Sequence, residues 1–100
     1  MKIELSKNFE KQFVKLRRNE QARVLACLKE FRVNPSLPAL RNHALKGEYQ
    51  GYQSISAGGD LRLHYYEKND QITFVFVSVG SHSRLYKKHM AFLAIITANE

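Results

Sequence analysis

Several residues in the second half of the chain have the types and spacing of a site that handles phosphates. Asp60, Arg62 and His64 alternate with Leu61, Leu63 and Tyr65. Along a β-strand, residues i, i+2 and i+4 share one face. The spacing therefore puts an acid, a guanidinium and an imidazole on one side and an apolar surface on the other. A second imidazole, His82, and a phenol, Tyr86, follow the next apolar stretch, and His43 lies upstream. RNA can be cut without a metal when its own 2′-hydroxyl attacks the adjacent phosphate. That reaction needs a base for the hydroxyl, a cation for the charge growing on the phosphate, and an acid for the 5′-oxygen. Imidazole titrates near neutrality and suits either proton role. Arginine stays charged and presents a planar fork to phosphate oxygens. Each residue also has an ordinary reading. Arg62 fits a solvated strand position, His82 a turn or cap, Tyr86 an anchor for a helix, and Asp60 a turn. His64 has the right face but reads as a surface residue, and His89 and Tyr49 carry no functional signal. The case for chemistry rests on the joint arrangement.

The elements that must position these groups can be read in order. Lys2 to Leu5 alternates and predicts a short opening strand. Ser6 is a natural N-cap for a helix in which Phe9, Phe13 and Leu16 form the apolar stripe. Asn19 is the expected cap of a second helix with Val24, Leu28 and Phe31 on its inner face. Cys27, the single cysteine, lies in that stripe and reads as a packing residue. Asn34-Pro35 ends the helix, because the residue before proline is pushed out of the α region. The two helices predict a helical hairpin. The segment from Pro35 to Asn42, with two prolines, is the expected mobile connection. Tyr52 to Ala57 and Asp60 to Glu67 read as strands around a glycine turn. Gln71 to Val79 is apolar on both faces, as befits a central strand. From Arg84 the pattern predicts a last, apolar helix carrying Met90, Phe92, Leu93 and Ile96.

The turn between the two polar-faced strands decides which residues share a side. A two-residue loop of Gly58-Gly59 would put Ile55 on the face of Arg62. A three-residue loop of Gly58, Gly59 and Asp60 puts Ala57 opposite Leu61. Ile55, Ala57, Leu61, Leu63 and Tyr65 then share the core face, and Ser54, Ser56, Arg62 and His64 share the other. The second version keeps every apolar residue on one side and is the one expected.

Composition narrows the partners. Sixteen Lys and Arg against nine Asp and Glu give a formal charge of +7 on 100 residues, which favours an anionic partner. Lys7, Lys11, Lys15, Arg17, Arg18 and Arg23 crowd the outer side of the helices, where they fit either RNA phosphates or plain solvation. A lone cysteine allows no intrachain disulfide. The histidines at 43, 64, 82 and 89 lack zinc-motif spacing, so no metal or other cofactor is expected. No apolar run is long enough to span a bilayer and no signal pattern opens the chain, so a cytoplasmic protein without a membrane partner is expected.

Three stretches carry a family resemblance: HALKGEYQGY (His43–Tyr52), GDLRLHYY (Gly59–Tyr66) and VSVGSHSRLYKK (Val77–Lys88). The chain resembles the RelE/YafQ group of bacterial toxins from type II toxin–antitoxin pairs. The resemblance implies a single α+β domain over residues 1–100: a mainly antiparallel sheet, an N-terminal helical hairpin and a C-terminal helix. It also implies a ribosome-dependent endoribonuclease acting on mRNA in the A site, with a cognate antitoxin as partner. On this resemblance His82 matches the YafQ-type histidine, Tyr86 the terminal aromatic, Arg62 a catalytic arginine of RelE, and Asp60 and His43 an acid and a histidine of the YafQ type. Lys46, Arg84, Lys87, Lys11, Lys15 and Arg18 are the expected contacts to mRNA and ribosomal RNA. The sequence departs from the pattern at Ser54 and Ser56, where relatives carry two lysines or an Asp and a His. A ParE-like inhibitor of DNA gyrase and a non-catalytic module that binds ribosome or antitoxin are the rival readings.

Overall fold

The computed structural model describes residues 1–81. The order of elements is β1 (Lys2–Leu5), α1 (Lys7–Val14), α2 (Arg18–Val33), β2 (His43–Ala44), β3 (Gln53–Ser56), β4 (Leu61–Glu67) and β5 (Thr73–Ser81). Short 3-10 turns lie at Pro38–Leu40 and Gly47–Tyr49. The five strands form one sheet in the order β1-β5-β4-β3-β2. The pairs are antiparallel except β1 with β5, which is parallel. This is an α+β fold, as the sequence predicts. The last helix expected from Arg84 lies outside the described residues.

Ser6 caps α1 as expected, its hydroxyl accepting from the Phe9 amide at 3.0 Å. The second helix starts earlier than Asn19 implies. Arg17 is its N-cap residue, and the Glu20 carboxylate accepts from the Arg17 amide at 3.0 Å. A carboxylate three residues in can satisfy a free amide at the helix start, so the cap residue itself need not supply a side-chain acceptor. Both helices lie on the apolar face of the sheet. Phe9, Val24, Cys27 and Phe31 meet Ile55, Leu61, Leu63, Tyr65, Phe76 and Val79 in one core. Phe31 is its hub, with ring centroids 5.0 Å from Tyr65 and 5.3 Å from Phe74 and Phe76, all near edge-on.

The hairpin loop has three residues. Ile55 pairs with Leu63 and Ser56 with Arg62, and the Ala57 amide donates to the Leu61 carbonyl at 2.9 Å. Gly58 and Gly59 have φ of 103° and 56°, a region open mainly to glycine.

Three features were not expected. His43–Ala44 forms a two-residue edge strand on β3. The segment before it is held rather than mobile: Leu40 is buried, and Asn42 bridges the Pro35 carbonyl and the Tyr65 hydroxyl. A polar residue, Gln12, is buried on α1, its Oε1 accepting from the Val79 amide at 2.8 Å.

The reason for Gln12 lies in β5. Its register with β4 slips by one residue, so that His64 faces Ser78 but Tyr65 faces Phe76, leaving Val77 as a bulge. The parallel partner β1 ends opposite Phe76. Beyond that point α1 takes over the edge of β5. Ser6 and Asn8 side chains donate to the Val77 carbonyl at 3.2 and 2.8 Å, and Gln12 takes the Val79 amide.

Candidate active site

The sheet register assembles the polar face. His43 pairs with Ser54, Ser54 with His64, and His64 with Ser78, so these four form one row across β2, β3, β4 and β5. Ser56, Arg62 and Gly80 form the next row. Directly paired residues in antiparallel strands project to the same side. With glycine opposite Arg62 on β5, no side chain stands beside it there. Tyr52 and Tyr66 meet edge-to-face at 5.8 Å.

The face is unusual in being both polar and buried. Ser54, Ser56, His64 and Ser78 are all buried, while Arg62 is half-buried. The Nη1 atom of Arg62 is shut off from solvent, and among the described residues it has no hydrogen-bond acceptor. A buried guanidinium nitrogen without an acceptor is costly, and a phosphate oxygen is the kind of partner that would satisfy it. Ser56 is already committed: its hydroxyl accepts from the Gly58 amide at 3.1 Å, and its carbonyl takes the Cys27 thiol at 3.4 Å.

His43 is exposed, and its ring is oriented. Nδ1 lies 2.8 Å from the Arg41 carbonyl. A carbonyl only accepts, so Nδ1 must donate, which leaves Nε2 as the nitrogen for proton exchange. Arg41 holds this carbonyl in place with φ of 48°, a left-handed conformation that costs a non-glycine residue about 1–2 kcal/mol. Strain of this kind gathers at functional sites. A cavity of about 380 Å³ lies beside it, lined by Ser36, Leu37, Pro38, Arg41, Asn42, His43, Ala44 and Gln53.

The structure thus brings His43 and Arg62 to one face and adds His64, which sequence reasoning sets aside as a surface residue. Alternation alone places His64 on the right side, but its burial follows from neighbours that a single strand does not reveal. Asp60 lies exposed at the hairpin tip and makes no ion pair among the described residues. His82 and Tyr86 lie outside the described residues, as do Arg84 and Lys87. Lys46 is exposed two residues beyond the end of β2. Lys11, Lys15 and Arg18 are exposed on the helical layer, away from the polar face. Cys27 plays no part in the site. Burial, with Glu30 adding to it, pushes its thiol from about 9 up to about 12, so no reactive thiolate forms near neutrality.

The other side of the molecule carries an apolar groove of about 300 Å³ lined by Leu5, Phe9, Glu10, Phe13, Val14, Leu25 and Leu28. Leu5, Val14 and Leu25 are exposed there. Among the described residues no group of three His, Cys, Asp or Glu is arranged to hold a metal, and no helix is long and apolar enough to cross a membrane.

A family model described as the bacterial toxin of type II toxin–antitoxin systems, YafQ, matches residues 1–87. That span includes His82 and Tyr86. Among solved structures, a metal-bound toxin from Helicobacter pylori is 29% identical, with a TM-score of 0.62, covering 85% of this chain and 98% of that one. YafQ of E. coli is 25% identical, with a TM-score of 0.66, covering 84% and 96%. The E. coli DinJ-YafQ toxin–antitoxin complex contains a chain 24% identical, with a TM-score of 0.61, covering 84% and 94%, which at that identity bears on the fold alone. No curated protein matches in sequence.

Proposed function

The chain belongs to the YafQ family of bacterial toxins of type II toxin–antitoxin systems, and from that premise we propose that it is a ribosome-dependent endoribonuclease that cuts mRNA in the A site. The observation that carries this reading is the Arg62 guanidinium, buried at Nη1 without an acceptor among the described residues, on the same sheet face as an oriented His43. Arg62 binds the non-bridging oxygens of the scissile phosphate. An imidazole takes the 2′-hydroxyl proton, the 2′-oxygen bonds to phosphorus, and the bond to the 5′-oxygen breaks as that oxygen receives a proton. The products are a 2′,3′-cyclic phosphate and a 5′-hydroxyl end, with no net proton change and no metal needed. His43 and His82 are the proton-transfer residues of this reading. Tyr86 stacks on a base or orients the attacking group, and Asp60 orients a histidine. Lys46, Arg84 and Lys87 hold the RNA backbone, while Lys11, Lys15 and Arg18 meet ribosomal RNA.

The second partner is a cognate antitoxin, in keeping with the E. coli relative that is found with DinJ. The apolar groove between β1, α1 and α2 fits the apolar side of such a segment.

The reading is tested by expressing the wild type, Arg62→Ala and His82→Ala in cells and mapping mRNA 5′ ends. Cuts in phase with codons that vanish in the variants are expected. Growth arrest with intact mRNA and halted DNA replication would replace this reading with the gyrase inhibitor. Absence of both toxicity and cutting would leave the non-catalytic module.

A further inference from the structure

One titratable side chain on the polar face has no part in the reading above. His64 is 7% exposed, at the centre of the sheet, with Ser54 and Ser78 as its cross-strand partners. Cross-strand partners have Cβ atoms about 4.5–5.5 Å apart. His43 and His64 therefore flank Ser54 from the two neighbouring strands, on the same face. Their backbones lie two strand spacings apart, about 10 Å. Arg62 stands two residues along β4 from His64, about 7 Å away. The register thus sets two imidazole-bearing positions and a guanidinium-bearing one around Ser54 on one face of the sheet.

The strand between them has no group for proton transfer. Serine hydroxyls do not exchange protons usefully near neutrality, and the Ser56 hydroxyl is taken by the hairpin turn. Strand β4 brings an imidazole to the adjoining position.

We propose that His64 is a catalytic residue of this site, exchanging protons with the same phosphodiester group as His43, across Ser54. The proposal rests on the nuclease reading and adds a second imidazole within the described sheet. His64 takes one of the two proton roles and another imidazole of the site takes the other. One ring accepts the 2′-hydroxyl proton as the oxygen–phosphorus bond forms, and the second gives a proton to the 5′-oxygen as its bond to phosphorus breaks, so protons balance over the turnover.

The test compares wild type with His64→Gln in single-turnover cleavage of mRNA on purified ribosomes. Glutamine keeps a comparable polar shape but does not titrate. The expected loss is about 100-fold, with thermal unfolding little changed. A loss below about tenfold would overturn the proposal, since proton transfer by a positioned group contributes more than that. Should His64→Gln fail to fold, the wild-type protein decides. A dinucleotide with a 2′-deoxy sugar at the scissile position binds but cannot react, and the ring nitrogens of both His43 and His64 should shift in the NMR spectrum on its addition. A shift at His43 with none at His64 would overturn it equally. Wild-type protein that leaves mRNA intact on ribosomes would sink the nuclease reading and this proposal together, whereas cleavage retained by His64→Gln removes this proposal alone.

Discussion

The two faces of the sheet are made of the same strands and obey opposite rules. On the helical side, Ile55, Leu63, Tyr65 and Phe76 are buried against Phe9, Val24 and Phe31, and the buried polar residue of α1, Gln12, has its partner in the Val79 amide. On the other side, serines, a histidine and an arginine are buried or half-buried, and a guanidinium nitrogen has no acceptor among the described residues. Apolar burial and satisfied hydrogen bonds lower the free energy of the fold. An unsatisfied buried donor raises it. Only the second kind of face keeps a buried donor open to a further acceptor. The difference separates a side whose groups are satisfied within the fold from a side where one, among the described residues, is not.

This contrast can be broken from either side. Phe31→Ala, at the hub of the core, should cost about 3–5 kcal/mol of stability, read from urea unfolding. A smaller loss than one methylene's worth would mean that the ring cluster is not the centre of the fold. Arg62→Met should do the reverse. Cleavage should fall about 100-fold or more, as for removal of a group that stabilises transition-state charge. Thermal stability should hold or rise, because a buried donor without an acceptor is removed. A marked drop in melting temperature would show that Arg62 serves the fold, and would erase the distinction between the faces. Gln12→Ala, which leaves the Val79 amide buried without its acceptor, should cost about 1–3 kcal/mol while cleavage by the folded protein is unchanged. The smallest effect concerns Cys27. Its thiol titrates near 12 in the folded protein and near 9 otherwise, so the unfolded chain loses its proton first. Stability from this group is complete below pH 9 and is lost as pH rises toward 12. Urea titrations at pH 8 and pH 11 should differ less in Cys27→Ala than in the wild type.

The apolar face was legible because it obeys local periodicity. Ile55, Leu61, Leu63 and Tyr65 announce their side by alternation, Phe9 and Phe31 by helical spacing, and the demand that all of them agree selects the three-residue loop. Ser6 was readable as a cap for the same local reason. What could not be read depends on neighbours far away in sequence. His43–Ala44 is too short to have a period and is a strand only because β3 lies beside it. Gln12 looks like a surface residue until the bulge at Val77 and the early end of β1 leave an amide for it to take. His64 looks exposed when β4 is considered alone. The face of Arg62 was evident from spacing, but the orienting contact between His43 and the strained Arg41 carbonyl was not, since nothing in the sequence marks a non-glycine residue for positive φ.

The parallel pairing of β1 with β5 joins Lys2 to Thr73 and Leu5 to Phe76, so the first strand made is matched with the last one described. The intervening helical hairpin can form from local contacts, whereas the sheet must wait for a loop of about 70 residues to close, which is the slow kind of step in folding. The same late strand supplies Ser78 and Gly80, the neighbours of His64 and Arg62. A nascent or truncated chain ending before Thr73 therefore has helices but no closed sheet and no assembled polar face. Assembly of the polar face thus waits on β5, and the order in which the strands are made becomes the order in which that face can exist.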